Sequence, residues 1–139
     1  MSTRLKEKEE KILQVLEALA EESAKGKLIV VEGKKDVEAL RALGVAGSVV
    51  TVKTGGKSFL DAVSEIETMD VPEVILFLDF DRRGKEGTKR LKHSLERAKI
   101  KPNVKFWRAL SALVGKEIQC IESLTAYLDT LRAKVSAQR

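Results

Sequence analysis

Glu32, Asp79 and Asp81 are the residues best placed to do chemistry, because each follows directly on an apolar run. Leu28-Ile29-Val30-Val31 ends in Glu32-Gly33, and Val74-Ile75-Leu76-Phe77-Leu78 ends in Asp79-Phe80-Asp81. Short unbroken apolar runs are the signature of strands covered on both faces, so the three carboxylates are expected at the strand exits of a parallel sheet. Open α/β sheets bind their ligands there. Three anions in one crevice repel one another and stay ionised together only if a hard cation such as Mg²⁺ shares them. Side chains alternate along a strand, so Asp79 and Asp81 are expected to face one ion or ion pair while Phe80 turns to the core. Chemistry on phosphate is the leading reading.

The elements that must position these acids follow from periodicity. Residues 5–22 carry Ile12, Val15, Leu16 and Leu19 at helical spacing among Lys and Glu, which predicts an amphipathic helix. Strands are expected over Lys27–Val31, Val49–Val52, Val74–Leu78 and, after Pro102, Val104–Trp107. Between them come a short helix with Val37, Leu40 and Leu43 ended by Gly44, a helix near Lys57–Thr68, and a basic helix burying Leu91, Leu95 and Ala98. Ile121, Leu124, Leu128, Leu131 and Val135 form a helical seam, used against the body of the domain or a second subunit. Alternating strands and helices predict an α/β domain with a four-stranded parallel sheet and helices on both faces. If Glu32 meets the Asp pair, strands 1 and 3 are neighbours and the order is 2-1-3-4.

Size and composition narrow the classes. At 139 residues the chain is read as a single domain over 1–139, with an N-terminal helix at 5–22 and a core at 27–131. The single cysteine, Cys120, excludes an internal disulfide, and with His93 as the sole histidine there is no zinc cluster. A highly charged start and the lack of any roughly 20-residue apolar stretch predict a cytoplasmic protein with no membrane span. The net charge is +5, yet the segment from Arg82 to Lys101 alone carries nine Lys or Arg and two Glu, leaving the remainder at −2. Such a run is often only a solvated helix face, but beside a candidate metal site it suits a polyanion track.

With both motifs laid out, Glu32-Gly33-Lys34-Lys35-Asp36 followed by Asp79-x-Asp81-x-x-Gly84 resembles the Toprim domain of topoisomerases, bacterial-type primases, certain nucleases and recombination mediators. The similarity runs from about Lys27 to Leu131 and is closest to small stand-alone archaeal-type Toprim proteins and to the Toprim part of the 5S ribosomal RNA maturase. The resemblance implies a Rossmann-like fold, with Glu32 as general acid or base and sometimes a metal ligand, and Asp79 and Asp81 as Mg²⁺ ligands. That ion would neutralise the scissile phosphate and activate water while Glu32 moves a proton. A buried glutamate beside two aspartates is expected to have a raised pKa. From charge and position, Lys34, Lys35, Lys53, Lys57, Arg82, Arg83, Lys85 and Lys89 are candidates for holding a nucleic-acid backbone, RNA or DNA. Topoisomerases carry a third aspartate where Arg83 stands, and the sole tyrosine, Tyr127, lies in the last helix as packing, so strand passage is not expected.

Other signals weigh less. Thr54-Gly55-Gly56-Lys57-Ser58 is similar to the end of a Walker loop, but Thr51 replaces its opening glycine, so an NTPase is rejected. Asp79-Phe80-Asp81 is also similar to the haloacid-dehalogenase motif, yet Arg83 stands where Thr or Val follows there, and that motif opens its fold. His93 reads as a surface residue, Cys120 as a small buried filler, Phe106 and Trp107 as core with Trp107 a lesser candidate for base stacking, and Asp36 as a helix-dipole residue, with support of the metal site from the first helical turn as the lesser alternative. The expected function is a Mg²⁺-dependent nuclease or RNA-processing enzyme. The alternative is a non-catalytic Toprim module that binds nucleic acid or bridges proteins, and a homodimer or larger complex through the terminal helices is open in either case.

Overall fold

The computed structural model describes residues 3–53 and 58–138. The expected helix over 5–22 is present as α1, which runs over Thr3–Ala24, followed by β1 (Leu28–Val31), α2 (Lys34–Ala42), β2 (Val49–Thr51), α3 (Phe59–Thr68), β3 (Glu73–Leu76), α4 (Arg82–Arg97), β4 (Lys101–Asn103), α5 (Lys105–Val114), a 3₁₀ turn at Ile121–Ser123 and α6 (Leu124–Ala137). Residues 54–57, which hold most of the expected Lys53-Thr54-Gly55-Gly56 turn and the candidate backbone-binding Lys57, lie outside the described residues.

The four strands form one parallel sheet in the order β2-β1-β3-β4, as the convergence of the acids requires. Leu28, Val30, Val74, Leu76 and Leu78 join one hydrophobic cluster, with α3 and α4 packed over it. Ile29, Val31, Ile75 and Phe77 join the other, which draws in α1, α2, α5 and α6. A continuous apolar run is thus split by the two-residue period of the strand into two cores, one on each face. The seam of Leu124, Leu128, Leu131 and Val135 on α6 is buried within this domain, against α1 and α2.

One strand falls elsewhere than expected. The fourth is Lys101–Asn103, and Val104–Trp107 instead begins α5. Asn103 ends the strand because its side-chain oxygen accepts the Lys105 N–H at 2.9 Å, satisfying one of the free donors of the new helix. Pro102 is tolerated in a strand because β4 lies at the sheet edge. The β-branched and aromatic run Val104-Lys105-Phe106-Trp107 looks strand-like, but Phe106, Leu110 and Val114 bury one helical face.

At the exit of β3 the chain turns directly into α4. Asp81 is the N-cap, its Oδ1 accepting the Gly84 N–H at 2.7 Å. Gly84 is there because of space: a Cβ on it would lie 2.1 Å from the Asp79 carbonyl oxygen. Only a residue without a side chain lets the first turn of α4 press onto the strand exit. Gly33, by contrast, has nothing within 4 Å of a built Cβ and an extended backbone. Gly84→Ala is therefore expected to lower stability by about 1–3 kcal/mol in urea unfolding, while Gly33→Ala leaves the fold intact; equal, small effects of the two would contradict this packing.

Candidate active site

The parallel ladder brings Glu32 and Asp79 together. Phe77 N–H donates to the Val30 carbonyl at 2.8 Å, and two residues on the Asp79 N–H donates instead to Glu32 Oε2 at 3.2 Å. Where the β1–β3 ladder ends, the Glu32 side chain makes the rung that a backbone carbonyl makes one step earlier. Its own carbonyl is taken by the Lys53 N–H at 3.0 Å, on the β2 side. β1 and β3 are neighbours while β2 lies on the other side of β1, so this is the switch point of the sheet.

A cavity of about 300 Å³ opens here, lined by Glu32, Gly33, Lys34, Lys35, Asp36, Lys53, Asp79, Cys120 and Glu122. Two further segments close it. The Ile121 N–H donates to Asp79 Oδ1 at 2.9 Å, and the Phe80 N–H to the Gln119 carbonyl at 2.8 Å, so the chain after α5 is clasped onto the strand exit. Trp107 props the same exit from behind, its indole N–H donating to the carbonyls of Leu78 at 2.9 Å and, more weakly, Asp79 at 3.4 Å. A larger cavity of about 570 Å³ between α1, α2 and α6 is lined mainly by Leu and Ala and lies away from the strand exits.

The Glu32 carboxylate accepts the Asp79 N–H, and the proton affinities of the two carboxyls move in opposite directions. Burial pushes Asp79 up, the neighbouring Glu32 and Asp36 carboxylates add to this, and its pKa reaches about 7 despite the Ile121 N–H. Burial also acts to raise Glu32, whose side chain is only 13% exposed. That is outweighed by the Lys53 ammonium at 2.6 Å from Oε1, by the Asp79 carboxyl and by the Asp79 N–H, so Glu32 lies below the usual range. The raised pKa expected for Glu32 is thus found on Asp79 instead, because the cation sits on Glu32. Below pH ~7 the metal-free pair retains one proton, and burial together with the Lys53 ammonium on Glu32 biases it toward Asp79.

Asp81 stands apart from this pair. β-Pairing ends at Leu76, so strict alternation no longer governs Asp79 and Asp81, and Asp81 caps α4 without lining the cavity. Phe80 is buried as expected. Among the described residues no three acids are gathered into a ready coordination cage. The donor set nevertheless suits Mg²⁺, which keeps several waters and is commonly held by one or two carboxylates together with substrate phosphate. The exposed Lys34 and Lys35 line the cavity, and Lys53 is committed to Glu32. Arg82 pairs with Glu86 at 3.3 Å, and Arg83 is exposed on the first turn of α4. Lys85 and Lys89 line a separate groove.

Three residues of the crevice carried no strong sequence signal. Asp36 is buried and accepts the Gly33 N–H at 3.0 Å; burial raises its pKa, as do Glu32 and Glu122, with the Gly33 N–H opposing. Glu122 comes from a stretch without periodicity. Cys120, expected as a small buried filler, is half-buried at the rim, its sulfur 3.0 Å from the Ser123 hydroxyl. His93 is exposed and Tyr127 packs against the larger core, both as expected.

A model of the Toprim domain matches residues 26–108. The chain belongs to the Toprim family. It is 40% identical to a UPF0292 protein of Methanocaldococcus jannaschii over 121 residues, 86% of this chain and 91% of that one. It is 34% identical to a UPF0292 protein of Archaeoglobus fulgidus over 118 residues, 85% and 90% of the two chains. Among solved structures, a putative protein from Aquifex aeolicus superposes with a TM-score of 0.66 at 26% identity, covering 79% of this chain and 94% of that chain. Small archaeal relatives fit the reading of a stand-alone Toprim protein, and the Toprim domain points to a metal-dependent role connected with nucleic acid. No described helix is long and apolar enough to cross a membrane.

The proton on Asp79 has a consequence for stability. Its folded pKa of about 7 exceeds the ordinary 3.8, so between those values the folded state binds more protons than the unfolded one. Stability from this group is therefore fully present below the ordinary value and is lost as pH rises through 7. Asp79→Asn keeps the acceptor for Ile121 and is expected to raise the Tm of metal-free protein at pH ~8, with the gap closing toward pH ~4; a pH-independent Tm difference would contradict the assignment.

Proposed function

We propose that this Toprim protein is a Mg²⁺-dependent enzyme acting on nucleic-acid phosphodiesters, a nuclease or RNA-processing factor. The observation that carries the reading is the Glu32–Asp79 pair: two half-buried acids meeting at the switch point of the sheet, the Glu32 carboxylate accepting the Asp79 N–H and the Asp79 carboxyl pushed up to about 7 by burial and its acidic neighbours. A purely structural pair gains little from such an arrangement, since burying a second acid beside the first is costly. A divalent cation offsets that cost.

Asp79 would be the principal ligand with Glu32 beside it, and Asp81, whose Oδ1 caps α4 outside the crevice, would join only through its second carboxylate oxygen. Bound Mg²⁺ would supply charge neutralisation for the scissile phosphate. Glu32 Oε1, ionised at neutral pH, would accept the proton of the attacking water or hydroxyl, with Lys53 holding it in place. Lys34 and Lys35, exposed at the mouth of the crevice, would hold non-bridging phosphate oxygens. Arg83 extends that basic margin onto α4. The clasp of Ile121 on Asp79 keeps the carboxyl pointed at the crevice and limits its contact with bulk water.

A second reading is favoured by one contact. The Lys53 ammonium already lies on Glu32 at 2.6 Å, as in a module whose acids have become a docking surface for nucleic acid or protein and no longer catalyse. Incubating the protein with structured RNA and DNA separates the two. The enzyme reading predicts cleavage that needs Mg²⁺ and falls by about 10²–10⁴-fold in Glu32→Gln; binding with no cleavage in any substrate supports the module. Because Asp79 must shed its proton to take a cation, Mg²⁺ affinity measured by calorimetry is expected to rise steeply between pH ~6 and ~8 in wild type and to be flat in Asp79→Asn. A flat wild-type profile would contradict the shared proton.

A further inference from the structure

The basic groove between α4 and α5 is distinct from the carboxylate crevice. Lys85, Lys89 and Lys92 rise from one face of α4, spaced four and three residues apart, and Arg108 faces them from α5, with Trp107 between. Together they line a cavity of about 160 Å³ that includes no acidic residue. Among the described residues none of these four cations forms an ion pair with a carboxylate. Like charges at this helical spacing destabilise a helix, and an arrangement that keeps them together without partners leaves the repulsion for an external anion to relieve. Elsewhere on the same helix Arg82 does meet a carboxylate, that of Glu86.

Trp107 adds what phosphate binding alone does not need. Its indole N–H is fixed to the Leu78 and Asp79 carbonyls, and Phe80 lies against it with ring centroids 6.4 Å apart. The ring is therefore held in one orientation, only partly covered, with part of its surface in the groove. An oriented aromatic surface among lysines and arginine is the chemistry that takes an unstacked base together with its flanking phosphates. A duplex offers the phosphates but no free base face.

We propose that this groove binds single-stranded nucleic acid, a base stacking on Trp107 and the phosphates on Lys85, Lys89, Lys92 and Arg108. The proposal deepens the nucleic-acid reading given above by naming the form of the strand. Trp107 shares the Leu78-Asp79 backbone with the crevice, so a strand seated here lies next to the acids.

Trp107 is the only tryptophan in the chain, so its fluorescence reports on this groove alone. The protein without Mg²⁺ is titrated with short oligouridylate, with oligothymidylate and with a duplex of equal length, across a range of salt. Expected are quenching of Trp107 by the single strands, weak or absent quenching by the duplex, and an affinity that falls with salt. The double variant Lys89→Gln, Lys92→Gln, at outward positions of a surface helix, is expected to bind at least tenfold more weakly, with a log–log salt slope shallower by about 0.7 per lysine. Binding of single strands without any change in Trp107 fluorescence, equal or tighter binding of the duplex, an unchanged slope in the double variant, or no binding at low salt would each overturn the proposal. Quenching without cleavage under Mg²⁺ would leave the groove standing and remove the nuclease reading. Cleavage that proceeds with no quenching would do the reverse.

Discussion

The site depends on one contact that parallel pairing makes unavoidable: with β1 and β3 adjacent, the carboxyl of Glu32 and the backbone and carboxyl of Asp79 arrive at the same point. Everything around that point answers the problem of two acids in one half-buried place. Lys53 steadies Glu32, the Ile121 N–H steadies Asp79, and Asp79 takes up a proton when nothing else is there. The geometry is bistable by chemistry and not by backbone movement, since a proton and a divalent cation compete for the same oxygens.

The packing that holds this contact comes from both faces of the sheet. On one, Gly84 allows α4 to touch the Asp79 backbone, and Asp81 caps the helix that results. On the other, Trp107 reaches from α5 to the carbonyls at the strand exit, and the Gln119 carbonyl receives the Phe80 N–H. The residues on either side of Asp79 are therefore fixed from opposite sides before any substrate arrives, the pre-organisation that charge-based catalysis or tight anion binding requires. The same elements shape the basic groove, so α4 and α5 serve the crevice with their first turns and the groove with their facing sides.

Much of this was legible in the sequence because it rests on patterns with a physical cause. The apolar runs at Leu28–Val31 and Val74–Leu78 announced doubly covered strands, and the acids following them fixed which strands had to be neighbours, which gave the order 2-1-3-4. What was not legible depended on contacts between distant segments. Nothing local indicates that Ile121 meets Asp79, that Glu122 lines the crevice, or that Lys53 lands on Glu32 and so moves the expected raised pKa to its neighbour. Val104–Trp107 misleads because β-branched and aromatic residues suit a strand and a buried helical face alike, and the Asn103 side chain, accepting the Lys105 N–H just before α5, helps turn the chain into a helix. The turn after β3 ends the strand alternation that would put Asp79 and Asp81 on one side.

The most direct test of the central claim is a carbon-detected NMR titration of the side-chain carboxyls of Glu32 and Asp79, with and without Mg²⁺. The account predicts that Asp79 loses its proton near pH 7 in metal-free protein, well above Glu32, and that Mg²⁺ shifts the Asp79 midpoint to lower pH. Two carboxyls titrating independently in the ordinary acidic range, neither of them moved by Mg²⁺, would contradict it.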